Sequence, residues 1–157
     1  MSIATICPSQ AHRLLPLLQQ VHDLHVQNQP QRYAPLPDDK EVVSYLSEWL
    51  SHDAVVALGY EENQILLGYA IFELEKRAAT PFRRAETRAM LHHISVDTKH
   101  RRKGIGLALI NEVRARLLAD GGDVLATTYA TFNTPSAELM ARAGLNPVIS
   151  FAEWRVE

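Results

Sequence analysis

The sequence predicts an α/β fold: one mixed sheet, mostly antiparallel, with a parallel strand pair and helices packed against it. Three observations lead there. Apolar positions switch along the chain between a period of two and a period near four, the patterns of half-buried strands and amphipathic helices. The stretch from Met90 to Tyr129 reads strand, glycine-containing turn, helix, strand, at a length that is most simply a right-handed parallel crossover. Finally, 157 residues, 46% hydrophobic and 22% charged, suit one domain spanning residues 1–157 with a sizeable core.

The elements follow in order. Ser2 to Cys7 is a short apolar run that reads as a first strand, ended by Pro8-Ser9. Leu14, Leu17, Leu18, Val21 and Leu24 then recur at helical spacing to about Gln27, with Pro16 tolerated if it sits in the first turn. Pro30, Pro35 and Pro37 mark a connection. Asp38 or Asp39 caps a second helix carrying Val42, Leu46, Trp49 and Leu50. Ala54 to Tyr60 and Ile65 to Leu74 form a hairpin around Glu61-Glu62-Asn63-Gln64, and Lys76 to Arg88 is a loop or flared strand end. From Met90 to Val96 even and odd positions alternate, so His92 and His93 are expected on opposite faces. Ile105, Leu109, Val113 and Leu117 build a helix closed by Gly121-Gly122. Val124 to Tyr129 is a strand, Asn133-Thr134-Pro135 opens a helix that Gly144 stops, and Val148 to Val156 reads as a last strand.

Composition excludes several functions. No apolar run approaches the roughly 20 residues of a membrane span, and no basic-then-apolar leader opens the chain, so a soluble cytoplasmic protein is expected. Cys7 is the only cysteine, which excludes an internal disulfide and suits a strand-end core position. The formal charge of -2 argues against general nucleic-acid binding. His22 and His25 share a helix face but find no third ligand at suitable spacing, so no metal is expected. Trp49 and Trp154 read as core or interface residues.

The positive charge is local. Lys99-His100-Arg101-Arg102-Lys103-Gly104-Ile105-Gly106 joins a strand to a helix, with four Lys/Arg side chains in five residues. Unpaired amides and the positive end of a helix dipole meet there, and the glycines permit close backbone approach, so a phosphate fits. The segment lacks the Gly-Lys-Ser/Thr of a nucleotide P-loop and the third glycine of a dinucleotide fingerprint.

Arg101-x-x-Gly104-x-Gly106, preceded by Ile94, Ser95 and Val96, resembles the pyrophosphate motif of the GNAT superfamily of acyl-CoA-dependent N-acetyltransferases. Asn133, Ala137, Ala143, Gly144 and Leu145 resemble its closing helix and turn. The resemblance covers about Met90 to Val148 and implies a GNAT-like sheet whose two central parallel strands splay apart to admit acetyl-CoA. It further implies that the main chain of Ile94, Ser95 and Val96 pairs with the pantetheine arm, and that Arg101, Arg102, Lys103, Gly104, Ile105 and Gly106 hold the pyrophosphate. Asn133 sits where the family often carries an Asn near that arm, and serves equally as a helix N-cap.

The implied reaction is acetyl transfer to a primary amine by direct attack in a ternary complex. Many family members carry a Tyr seven residues after that Asn to protonate the leaving sulfur; this chain has Met140. Tyr129 and Ser136 are the nearest replacements, or the thiolate leaves unaided. Candidate bases are Glu86, His92 and His93, since a histidine titrates near neutral pH. His25, Arg32 and Tyr33 are expected to border the acceptor, a small molecule or a peptide amine, with a homodimer kept open. Met140 also suits a non-catalytic acyl-CoA-binding or sensing module, and the basic loop by itself would suit a phosphoprotein- or nucleotide-binding domain.

Overall fold

A computed structural model describes residues 1–157. In chain order it contains β1 (Ser2–Thr5), a 3-10 helix (Pro8–Leu14), α1 (Leu15–Asn28), α2 (Asp39–Leu50), β2 (Val55–Glu62), β3 (Ile65–Arg77), β4 (Glu86–Val96), α3 (Ile105–Ala119), β5 (Val124–Thr127) and α4 (Thr134–Arg142). Pro16 falls in the first turn of α1, where its missing N–H costs no helical bond. Asp38 caps α2, accepting from the Glu41 amide at 2.9 Å. Asn63 and Gln64 take left-handed backbone (φ 51° and 64°) to turn the β2–β3 hairpin.

The sheet order is β1-β2-β3-β4-β5. Every pairing is antiparallel except β4–β5, the parallel pair made by the α3 crossover. Apolar layers cover both faces. Leu58, Phe72, Leu91, Leu109, Ile110 and Met140 pack between the sheet and α3–α4. Leu14, Leu18, Leu46, Tyr69 and Ile71 pack between the sheet and α1–α2. Each fully buried side chain of this kind contributes about 1.5–3 kcal/mol, so the sheet is held from both sides and its middle strands are fixed.

Two departures from the expected elements bear on function. The β4–β5 ladder runs only from Arg88↔Val124 to Leu91↔Thr127, while β4 continues along β3 to Val96. From His92 onward the β5-side edge of β4 is therefore open, and the pair forks. Val148–Val156 is no strand in this chain: residues 145–157 pair with nothing in the sheet. Its charged positions are tied instead to the α1–α2 connection, Glu153 by an ion pair to Arg32 and Arg155 by donating to the Gln31 carbonyl at 3.1 Å. Cys7 and Trp154 are also exposed rather than buried.

Candidate active site

The loop between β4 and α3 is shaped by backbone before side chains. After a short 3-10 turn at Thr98–His100, Arg102 and Gly104 both adopt positive φ (62° and 83°), with Gly104 as the N-cap of α3. No backbone N–H from Arg101 to Leu107 donates to an acceptor within the protein, the first such bond being Ala108 to the Gly104 carbonyl at 2.9 Å. A run of unpaired donors at a helix N-terminus is an anion-binding surface. Lys99 and Lys103 form no ion pair, Arg101 reaches back to the Val96 carbonyl at 3.4 Å, and Arg102 lies 3.8 Å from Glu138.

The two glycines of the motif differ in their physical basis. A Cβ on Gly104 would meet nothing within 4 Å, so its requirement is the left-handed backbone alone. A Cβ on Gly106 would stand 2.8 Å from Leu139 Cδ2. Gly106 therefore serves the close packing of α3 on α4 rather than close approach of an anion.

Gln20 braces this loop from α1, a role the sequence pattern did not reveal. Its Oε1 accepts from the Thr98 amide at 3.1 Å and its Nε2 donates to Asp97 at 3.2 Å. Asp97 also meets His100 Nδ1 at 2.5 Å. The His100 contact, then Gln20, hold the Asp97 carboxyl below its ordinary range.

At the fork the strand changes character. Ile71 pairs with His93 and Phe72 with Leu91, leaving His92 as an extra, bulged residue. The bulge cancels the expected alternation: the rings of His92 and His93 both stand edge-on to Trp49 of α2, at 5.6 and 5.3 Å between centroids. The two histidines thus look toward the same α1–α2 face, correcting the opposite-face expectation. The His92 ring remains accessible and its Nε2 lies 3.1 Å from Glu73. His93 is partly buried, its Nδ1 inaccessible and unpartnered. Burial first, then the neighbouring His92, His25 and His22, push its pKa down to about 4, so it is neutral at ordinary pH.

The remaining candidates divide. His25 packs on Tyr33 (5.0 Å) and on Phe132 (5.3 Å), joining α1 to the segment that follows β5 and roofing the fork. Arg32 is engaged by the Glu153 carboxylate and sits 5.8 Å from the Phe151 ring. Ile94 and Val96 pack toward α3, whereas Ser95 turns to α1 and donates to the Leu17 carbonyl at 2.9 Å, leaving only its main chain at the strand edge. Tyr129 is half-buried against the α3-side core just past the fork. Asn133 caps α4, its Oδ1 accepting from the Ser136 amide at 3.1 Å. Met140 is buried in the α3–α4 core.

Glu86 is not brought to this cluster. It opens β4, pairs with Arg77 across the hairpin and lies 3.8 Å from Arg88. Six residues of strand, about 20 Å, separate it from His92.

Glu73, Glu75 and His92 place ligand-type atoms within 4.8 Å of one another. Arg88 binds Glu75 at 2.7 Å and Arg77 lies 3.4 Å away, so this group is an ion-pair network rather than a bare acidic cluster. The Thr127 hydroxyl donates to the Leu91 carbonyl at 2.9 Å, at the last paired position before the strands part. Glu73, Phe132 and Thr127 lay outside the sequence reading of the site because nothing local marks them, and Trp49 was read there only as a core or interface residue. Their signal is the register, which only the paired strands display.

The arrangement is an open strand edge running from a histidine bulge into a cradle of unpaired amides. No helix is long and apolar enough to cross a membrane. Residues 18–145 match the Acetyltransferase (GNAT) family. Among solved structures, a tetramutant of the BH1408 protein from Bacillus halodurans is 17% identical with a TM-score of 0.90, the alignment covering 99% of this chain and 100% of that one. The aminoglycoside N-acetyltransferase AAC(6')-Iy in complex with CoA is 16% identical with a TM-score of 0.77, over 99% and 93% of the two chains. A ribosomal-protein-alanine N-acetyltransferase from Brucella melitensis biovar Abortus 2308 is 22% identical with a TM-score of 0.71, over 100% and 99%. No curated protein sequence matches the chain. The structural likenesses speak to the fold, the 128 matched residues to descent: the chain belongs to the GNAT acetyltransferase family.

Proposed function

We propose that residues 1–157 act as one acyl-CoA-dependent N-acetyltransferase domain, moving an acetyl group from acetyl-CoA to a primary amine by direct attack in a ternary complex in the cytoplasm. The observation that carries this reading is the continuity of two features. The β4 edge opens at His92 and leads directly into the unpaired amides of Arg101–Leu107. A ligand with a peptide-like arm and a pyrophosphate fits that sequence of surfaces, the arm as an added strand along Ile94–Val96 and the phosphates on the loop. The cationic side chains of Lys99, Arg101, Arg102 and Lys103 surround the same end.

The protein's part in the reaction is mostly positioning. Open main-chain N–H groups of β4 are placed to face the thioester oxygen as negative charge develops on it. The acceptor approaches from the α1–α2 side, between the His25–Tyr33–Phe132 roof and the His92 ring. His92, accessible and held at Nε2 by Glu73, takes the ammonium proton directly or through one water; its ring is aimed by the carboxylate as in other histidine–carboxylate pairs. The amine nitrogen then bonds to the acetyl carbon, the carbon–sulfur bond breaks, and the electron pair leaves with sulfur. A thiol with a reference pKa of roughly 8.5 is a fair leaving group near neutral pH. Tyr129, half-buried just past the fork, is the candidate to return a proton. His93 is partly buried and neutral, so its role in this reading is packing.

Neighbouring structures are complexes with sisomicin and with a CoA-linked acetylneamine analogue, which supports small amine acceptors as the first panel to assay. Thiol release from acetyl-CoA with an amine panel tests the proposal. His92→Ala is expected to lower kcat/KM by about 10²–10³-fold, within the usual range for a general base, with acetyl-CoA affinity unchanged by calorimetry. Absence of acetyl-CoA binding sinks the reading. The buried Met140 at the usual tyrosine position supports one alternative, a sensor that binds acyl-CoA without turnover; binding with no thiol release across the panel would select it.

A further inference from the structure

The α1–α2 side of the fork carries two adjoining groups of rings. Tyr33 and Phe132 stand edge-on to His25, at 5.0 and 5.3 Å with interplanar angles of 75° and 74°. Trp49 meets His92 and His93 at 5.6 and 5.3 Å. The groups adjoin, since His25 and His22 both oppose a proton on His93. Tyr33, Trp49 and Phe132 are half-buried, so each keeps part of its ring accessible. Backbone anchors hold the wall: His25 Nδ1 donates to the Val21 carbonyl at 2.8 Å, and His22 Nε2 to the Ala34 carbonyl at 2.6 Å. A wall fixed beforehand costs a ligand less ordering entropy.

Charge at the same place suits a single cation. Three carboxylates approach these rings. Glu75 is matched by Arg88 and Arg77, and Glu153 by Arg32 and Arg155. Only Glu73 of the three has no arginine partner; it meets the His92 ring at 3.1 Å. One ammonium is balanced there, whereas a second would stand among His22, His25 and Arg32, and like charges brought together at an interface are strongly disfavoured.

Resting on the acetyl-transfer reading above, we propose that the acceptor is an arylalkyl monoamine. Its one ammonium sits by Glu73 and His92, and its aromatic ring lies among Tyr33, Phe132 and Trp49. Each aromatic contact adds about 2- to 12-fold in affinity beyond area burial, and an ammonium beside the Trp49 ring gains a cation–π attraction as well. The nitrogen bonds to the acetyl carbon, the carbon–sulfur bond breaks with its electron pair leaving on sulfur, and His92 takes the ammonium proton. The products are an N-acetyl arylalkylamine and the CoA thiolate.

Phenethylamine, its saturated isostere cyclohexylethylamine, and spermidine are the probes. Thiol release from acetyl-CoA reads turnover, and calorimetry on the CoA-loaded protein reads acceptor binding without turnover. Phenethylamine is expected to exceed cyclohexylethylamine by about threefold or more in kcat/KM and in affinity, and spermidine by about tenfold or more. Tyr33→Leu and Phe132→Leu, which keep an apolar side chain, are each expected to raise KM for phenethylamine about fivefold with kcat within about twofold, and to erase the preference over cyclohexylethylamine. A preference for spermidine, equal use of the aromatic and saturated amines, or an aromatic preference that survives both variants overturns the proposal while leaving acetyl transfer standing. Aromatic-selective binding with no thiol release from any probe overturns acetyl transfer and leaves the ring-lined amine site standing; neither binding nor release overturns both.

Discussion

Replacing His93 with leucine isolates the electrostatics of the bulge. The imidazole is partly buried, its Nδ1 is inaccessible and has no partner, and its pKa is pushed down to about 4 by burial and by His92, His25 and His22. In the unfolded chain the same group titrates near 6.5. Between those values the unfolded state binds a proton that the folded state does not. Stability therefore rises with pH across the window and is lost as pH falls from about 6.5 toward about 4. The gap corresponds to about 3 kcal/mol, and below about pH 4 both states are protonated and the loss levels off. Leucine binds no proton, so this component vanishes; removing an unpartnered buried nitrogen adds about 1 kcal/mol at neutral pH. Urea denaturation in steps from about pH 7 to about pH 4 measures both effects. A variant whose stability falls with acid as steeply as the wild type would refute the argument. Because His92 rather than His93 is assigned the proton transfer, the acid limb of kcat/KM is expected to stay in place in the same variant.

Other consequences follow from the loop. Gly104→Ala forces a left-handed alanine at a cost of about 1–2 kcal/mol and is expected to weaken acetyl-CoA binding about tenfold by calorimetry; unchanged affinity would count against the cradle. Gly106→Ala drives a Cβ into Leu139 and should cost about 1–3 kcal/mol of stability, with recovery in the double variant Gly106→Ala, Leu139→Ala if packing is the cause. Gln20→Leu removes both contacts to the loop and should weaken acetyl-CoA binding several-fold. It should also move the acid-induced loss of binding to higher pH, because Asp97, whose carboxyl is held below its ordinary pKa by His100 and then Gln20, loses the Gln20 hydrogen bond. An acid profile identical to wild type would remove Gln20 from that role.

The elements were largely legible because their signals are local. Helix faces at Leu14–Leu24 and Ile105–Leu117, the caps at Asp38 and Asn133, and the glycines that end helices all act within a few residues. The loop of unpaired amides was legible for the same reason, since a helix N-terminus with flanking glycine and cations is written in eight consecutive positions. The alternation at His92 and His93 was misread because a bulge is decided by the partner strand: one extra residue in β4 against β3 leaves no mark in β4 alone. Glu86 was misplaced because a strand's length converts sequence proximity into about 20 Å. The strand pattern of Val148–Val156 is present, but pairing requires an edge within reach, and none in the same chain engages it.

By itself, then, the sequence determined the order of helices and strands, the mixed sheet and the position of the glycine-containing loop at the start of α3, because these follow from hydrophobic period, capping and backbone freedom along contiguous residues. Only the tertiary structure decided where β4 and β5 part, that Gln20 braces the loop from α1, that Gly106 serves helix packing, and that His92 is accessible beside Glu73 while the Nδ1 of His93 is buried. Each of those depends on groups distant in sequence meeting across an interface, and on a desolvation that no single segment contains.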